Sequence, residues 1–366
     1  MILQNDFKKQ WADTGEAVLD AVRRVGESGW YVLGREVEQF ERALAEFCGT
    51  AHAVGVASGL DGIELALRAL GCKAGDRVLT TPVSAFATTL AIVKLGAIPV
   101  FVDVDEYGLI DLAACREALR RRPDIRYFVP VHLYGHALDL DALSEFDCRI
   151  IEDCAQAIGA RFKGRPVGTV GAMAAISFYP TKNLGALGDG GAVLTGSADH
   201  VAAVRQLRDY GQSAKYRHTE IGYNSRLDEL QAALMGSAHL PRLASWTARR
   251  REIAGRYMSG LKNELVKVPG APMGSESCWH LFPVLVEPAR KAAFIAHMKA
   301  VGVLCGEHYP IAIPDQPAMR DVPHETEGSC ERARRWCASQ VSLPIHPYLS
   351  DDEVDCVIEA ANAWKG

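Results

Sequence analysis

The sequence predicts an α/β fold, with a large domain built on a mostly parallel central sheet and a smaller α/β domain at the C-terminal end. Two observations carry this expectation. From about residue 50 to 200, short β-rich runs alternate with helical patterns, which implies right-handed crossovers and helices on both faces of a sheet. Beyond the breaker cluster Pro269-Gly270-Ala271-Pro272 a shorter βα alternation begins. The boundary falls near 240, giving domains 1–240 and 241–366. With 366 residues, 48% hydrophobic and 23% charged, the chain has material for both cores.

The elements follow in order. Ala53–Ala57 is β-like and leads into the helix Leu60–Leu70, apolar almost all round and so suited to burial on the sheet. Val78–Thr81, Pro99–Val104, Tyr127–Leu133 and Arg149–Asp153 read as strands, with Phe86–Leu95, Leu112–Arg121 and Asp141–Glu145 as the helical segments between them. Two further strands, Ala172–Phe178 and Ala192–Thr195, bracket a polar, glycine-rich loop. A long helical pattern, Leu227–Leu240, stops at Pro241, and a charged helix spans about Leu243 to Leu261. The small domain reads as a strand (His280–Val286), a helix (Ala289–Val301), an extended piece (Val303–His308) and two closing helices.

Composition excludes several classes. A net charge of −5 and a pI near 6.1 leave no basic footprint for nucleic acid. Arg120-Arg121-Arg122 and Arg249-Arg250-Arg251 read as solvated helix faces. No apolar run reaches the roughly 18 residues of a membrane span, and the first residues carry no signal pattern, so a cytoplasmic protein is expected. Ten cysteines without CxxC pairs read as reduced, packed residues. No metal is expected: His132 and His136 lie in the Tyr134-Gly135 turn and read as structural or substrate-proximal rather than as zinc ligands.

Three stretches carry chemistry. Lys182, in Phe178-Tyr179-Pro180-Thr181-Lys182-Asn183-Leu184-Gly185, is an amine held on a short loop, as imine chemistry requires. Ser58-Gly59-Leu60-Asp61 opens a helix whose free N–H groups suit an anion, although Ser58 equally suits simple capping. Asp153 ends a strand, where ligands of α/β sheets gather, and a carboxylate there can keep a ring nitrogen protonated. Gln156 lies one turn on, and Phe86, at a helix start, could lie against a planar ring. Neither GxGxxG nor a Walker lysine is present, which argues against a nicotinamide oxidoreductase or a P-loop enzyme. Lysine, strand-end aspartate and phosphate-ready helix are together the parts of a pyridoxal 5′-phosphate site.

These segments resemble the DegT/StrS-type family of nucleotide-sugar aminotransferases. Pro130-Val131-His132-Leu133-Tyr134-Gly135, Gly222-Tyr223-Asn224-Ser225-Arg226 and His308-Tyr309-Pro310 join them in the family's order, over nearly the whole chain. The resemblance implies the aspartate-aminotransferase-like fold (fold type I) and a homodimer with shared active sites. It implies an imine between Lys182 and pyridoxal phosphate, Asp153 on the pyridine nitrogen, Gln156 near the phenolic oxygen and Phe86 stacked on the ring. Gly59, Leu60, Asp61 and Ser177 would hold the phosphate, with Asn224 from the partner subunit. Lys215, Tyr216 and Tyr309 would face the nucleotide sugar. Many members carry Thr where Leu60 stands, and an apolar residue there resembles the branch acting on 3-keto-6-deoxyhexoses, such as dTDP sugars, with glutamate as amino donor. The stretch Ile311–Gln316 departs from the family's pattern and leaves the sugar open. A 4-aminotransferase of the perosamine-synthase type and a non-catalytic regulatory relative are the alternatives.

Overall fold

Alternate residues of the central strands belong to different apolar clusters. Leu79, Phe128, Ile150 and Ala174 join a cluster of 59 buried residues, while Val78, Tyr127, Ile151 and Ala175 join a separate one of 21. Successive side chains of a strand point to opposite faces, so this pattern means a sheet covered on both sides. The computed structural model describes residues 1–366. Its sheet has eight strands, in the order His52–Val56, Gly191–Thr195, Met173–Ser177, Arg149–Asp153, Ile125–Val129, Arg77–Thr80, Ile98–Val102 and Glu325–Glu327. Gly191–Thr195 runs antiparallel to both neighbours and all other pairs are parallel. The mostly parallel α/β fold expected from the sequence is present.

One face carries the helices Gly59–Ala69, Phe86–Lys94 and Ala198–Arg208, which contribute Ile63, Ile92 and Val204 to the smaller cluster. The other face packs under Phe7–Ser28, Arg35–Cys48 and Leu112–Arg121 through Val18, Phe40 and Cys115. The helix Leu243–Gly260 leaves this core at Leu243 and enters a third one through Ile253, Ala254 and Tyr257. That third cluster, of 22 residues, fills the space around the antiparallel pair Phe282–Leu285 and Gln340–Leu343 and the helices Lys291–Ala300 and Asp351–Ala363. Ile2 belongs to it as well, through a parallel bridge to Val303.

Some elements differ from expectation. The pattern Leu227–Leu240 is helical only over Glu229–Leu234; a π turn, Met235–His239, and a 3₁₀ turn, Leu240–Arg242, follow. Pro241 has no N–H and cannot continue the ladder. Glu325–Glu327 is too short and too acidic to read as a strand, yet it completes the sheet edge, with Arg77 and Arg122 bonded to Glu325 at 2.9 and 2.7 Å. Arg250 is buried, whereas its two arginine neighbours are not. All ten cysteines are free, and no helix is long and apolar enough to cross a membrane.

Candidate active site

Five chain turns, each following a strand of the sheet, converge on one cavity of about 600 Å³. Asp153 closes the strand Arg149–Asp153 and is held by backbone on both sides, its N–H donating to Pro130 O at 2.8 Å and its C=O accepting from His132 N at 3.0 Å. Its carboxylate is 3% exposed and accepts from the Thr88 hydroxyl (2.8 Å) and from Ala155 N–H (3.0 Å). Ser84 lies 2.8 Å from the Thr88 oxygen, so two hydroxyls stand in line behind the carboxylate. Burial raises the Asp153 pKa; these donors and the charge of Lys182 offset it only in part.

Lys182 follows Met173–Ser177 on a tight turn. Its own N–H bonds Tyr179 O at 2.8 Å, and Phe178 O takes Ala186 N–H at 2.7 Å. A β-carbon at Gly185 would lie 2.3 Å from Pro180 O, so only glycine lets this turn close. The Lys182 side chain lines the cavity, where burial lowers its pKa to about 8 against the opposing pull of Asp153. A far larger share of neutral amine is therefore present near neutral pH than for an exposed lysine.

Ser58 caps the helix Gly59–Ala69, its hydroxyl accepting from Asp61 N–H at 3.1 Å. The first-turn N–H groups of Gly59 and Leu60 stand ahead of that bond, and both residues line the cavity. Gly59 packs so close to Ser177 that an added β-carbon would meet the serine Cβ at 2.7 Å. Helix start and strand end thus form one cradle. Gln156 is fixed from both sides, accepting from Tyr134 N–H at 2.7 Å and donating to the Tyr309 hydroxyl at 3.0 Å.

The structure brings Lys182, Asp153, Gln156, Gly59, Leu60, Ser177 and Tyr309 to this cavity. Asp61 does not line it, because its carboxylate accepts from the Ser225 hydroxyl at 2.7 Å. Phe86 is half-buried against the large core, and its neighbours Ala85, Ala87 and Thr88 line the wall instead. Asn224 bridges to Asp209, away from the cavity. Lys215 and Tyr216 sit on an exposed hairpin turn, Tyr216 being 84% exposed with the Lys215 amine 5.3 Å from its ring centre.

Further lining residues escaped the sequence reading: Gln4, Asn5, Ser84, Thr88 and His308. His308 had a signal, lying in the His-Tyr-Pro segment, and burial lowers its pKa to about 4. Gln4 and Asn5 had none. They reach the cavity because Gln4 donates to the carbonyls of Leu304 (2.7 Å) and Ser342 (3.0 Å) across the third core. His132 is no metal ligand in waiting: its Nε2–H faces Glu152 at 2.9 Å while Nδ1 accepts from Leu138 N–H.

This donor set fits pyridoxal phosphate. A buried carboxylate with two bonds has lone pairs left for a cationic N–H, the loop amine shares its cavity, and helix N–H groups with a serine suit a phosphate.

Comparison with known proteins agrees. A transaminase of Streptomyces venezuelae named for dTDP-3-amino-3,4,6-trideoxy-α-D-glucose is 41% identical, the alignment covering 98% of this chain and 95% of that one. One of Aneurinibacillus thermoaerophilus, named for dTDP-3-amino-3,6-dideoxy-α-D-galactopyranose, is 40% identical over 95% of each. Among solved structures, S. venezuelae DesV, crystallised in complex with a ketimine intermediate, superposes with a TM-score of 0.94 at 41% identity over 99% of this chain and 98% of that one. NtdA of Bacillus subtilis, solved with bound cofactor PMP, gives 0.86 at 27% identity over 94% and 80%. The sequence model of the DegT/DnrJ/EryC1/StrS aminotransferases matches residues 12–362, and the chain belongs to that family.

Proposed function

We propose that this aminotransferase moves an amino group from an amino acid, glutamate in the first instance, to the C3 ketone of a dTDP-linked 3-keto-6-deoxyhexose, acting in the cytoplasm as a homodimer. The carrying observation is Lys182 and Asp153 facing one cavity whose rim holds the Gly59–Ser177 cradle. The names of the relatives at 40–41% identity support the sugar and the position of its ketone. When bound, pyridoxal phosphate supplies an aldehyde carbon for amines and a ring that takes up the negative charge left by deprotonation at carbon.

The chain's residues do the rest. Asp153 holds the proton on the ring nitrogen; its raised pKa reflects a buried carboxylate whose natural partner is a cation. Lys182, as neutral amine, would take the proton from the donor's Cα and return it on the cofactor side, its lowered pKa suiting both directions. Gln156 would face the ring oxygen, and Gly59, Leu60 and Ser177 would take the phosphate, with Asp61 only bracing the helix start through its bonds to Ser58 and Ser225. Phe86 supports the ring. In the dimer Asn224 of the partner subunit completes the phosphate site, and the hairpin carrying Lys215 and Tyr216 reaches across to the nucleotide sugar beside Tyr309. Exposed Trp30, Tyr31, Leu187 and Ile221 supply apolar surface for that contact. Residues 1–240 form the cofactor domain in this reading, and 241–366 the domain that closes the cavity, apart from the edge strand Glu325–Glu327, which joins the large sheet.

Lys182→Ala tests the assignment. The purified variant should lose the visible absorbance of the lysine-bound cofactor and form no amino sugar, by product NMR, from dTDP-3-keto-6-deoxyhexose and glutamate. Normal turnover by the variant would refute it. Wild-type protein that aminates only a 4-keto sugar would move the assignment to the 4-aminotransferases.

A further inference from the structure

Arg250 and His346 form a polar site behind Lys182 that the transamination scheme leaves unused. Both are buried, at 4% and 3% exposure. Arg250 Nη1 donates to the carbonyls of Trp279 (3.3 Å), His280 (3.5 Å) and Ile345. Its Nε–H and both ring nitrogens of His346 have no partner within the chain. Beside them lies a space of about 20 Å³, walled by Lys182, Asn183, Arg250, His346 and Tyr348 among others. Asn5 and Lys182 wall both this space and the main cavity, so the two adjoin at the lysine.

Size decides the occupant. About 10–15 Å³ of such volume holds one water, and a buried water typically bonds two to four polar groups. A carboxylate or phosphate needs more room. Native proteins rarely leave buried polar atoms unpaired, and here three surround a water-sized space.

We propose that one water is built into this space, accepting from Arg250 Nε–H and donating to a ring nitrogen of His346. From there it serves as the hydrogen-exchange partner of Lys182, on the side away from the cofactor. In each exchange an N–H of the lysine ammonium breaks as an O–H forms, and a different hydrogen of the water returns to the amine. Charge is restored and nothing is oxidised. A substrate filling the main cavity closes the lysine's front access to solvent; this site keeps a rear one. The exchange role rests on the aminotransferase reading, whereas the water itself does not.

A high-resolution crystal structure of the apoprotein should show one solvent peak within about 2.6–3.2 Å of Arg250 Nε and of a His346 nitrogen. Absent density, or a side chain of either subunit in the space, would overturn the proposal. His346→Phe should lower the apoprotein Tm by roughly 2–4 °C and His346→Gln by less, since glutamine can still bond the water. An unchanged or raised Tm for the phenylalanine variant would mean that the histidine had no water to lose. With Cα-deuterated glutamate, His346→Phe should at least double the deuterium retained on the cofactor-derived carbon relative to wild type. Equal retention would overturn the exchange role. If neither protein turns over, the aminotransferase reading fails while the density still decides the water.

Discussion

Glu152 and Asp153 are consecutive carboxylates on one strand, facing opposite sides of the sheet, and they meet opposite conditions. Glu152 accepts four bonds: Gly168 N–H, Val170 N–H and Gly171 N–H at 2.8 Å each, and His132 at 2.9 Å. Burial pushes its pKa up, but His132 and those amides outweigh it and the net shift is downward. Asp153 has two donors, and burial wins. A saturated carboxylate braces the loop 167–171; an undersaturated one is kept ready for a partner that the chain does not supply. Within one peptide unit the strand carries a structural group and, on the proposed mechanism, a functional one.

Asp153→Asn strikes the functional side and should have the largest effect. Turnover should fall about 10³-fold, because an amide cannot hold the ring proton. The sign for stability is the reverse. Asp153 titrates above the ordinary 3.8, so its contribution to apoprotein stability is complete below that value and lost as pH rises through the native pKa. The asparagine variant escapes that loss. Its apoprotein should melt no lower than wild type at neutral pH, the difference closing in acid; a lower Tm would erase the contrast between the two carboxylates.

Glu152→Gln strikes the structural side. Its NH₂ would face amide donors, costing about 3 kcal/mol in chemical denaturation while the remaining folded protein keeps most of its activity. Glu152 titrates below the ordinary 4.5, so its stabilisation is complete above that value and disappears as pH falls through the native pKa. The stability deficit of the variant should therefore shrink in acid. Equal deficits at neutral and acid pH would show that the bonds to Gly168 and Gly171 do not depend on charge.

Thr88→Val removes one of Asp153's two donors while leaving the carboxylate itself in place. Loss of one hydrogen bond to a charged group, about 1.5 kcal/mol, should lower turnover roughly tenfold and leave Tm within a few degrees. An unchanged rate would make the Ser84–Thr88 pair mere packing. The mildest test concerns Lys182 itself. Labelling of the apoprotein by an amine-reactive reagent, followed by mass spectrometry, should be half-maximal near pH 8, where exposed lysines are still protonated. A midpoint above 10 would mean that the cavity does not desolvate the amine.

Much of this was legible in the sequence. Asp153, Ser177 and Gly59 each sit at the end of a strand or the start of a helix, with Lys182 on the turn just beyond one, and periodicity locates such ends well. Glu152 was invisible as a brace, since a buried glutamate beside a strand-end aspartate looks like part of the same motif. Arg250 was misread as solvated because its charged neighbours, Arg249 and Arg251, hide the single position that turns inward. Gln4 and Asn5 reach the cavity only through contacts with residues about three hundred positions away, which no local pattern records. Phe86, Asn224 and the Lys215–Tyr216 hairpin remain outside the single-chain cavity; for the last two, the proposed dimer would supply the missing piece.

The edge strand Glu325–Glu327 has a consequence for biogenesis. Its neighbour Ile98–Val102 is synthesised far earlier, so the nascent chain must carry a bare parallel edge until residues 325–327 have been made. Glu325 and Glu327 reach that edge already matched to Arg77, Arg121 and Arg122, a charged fastening that a stray apolar strand could not imitate.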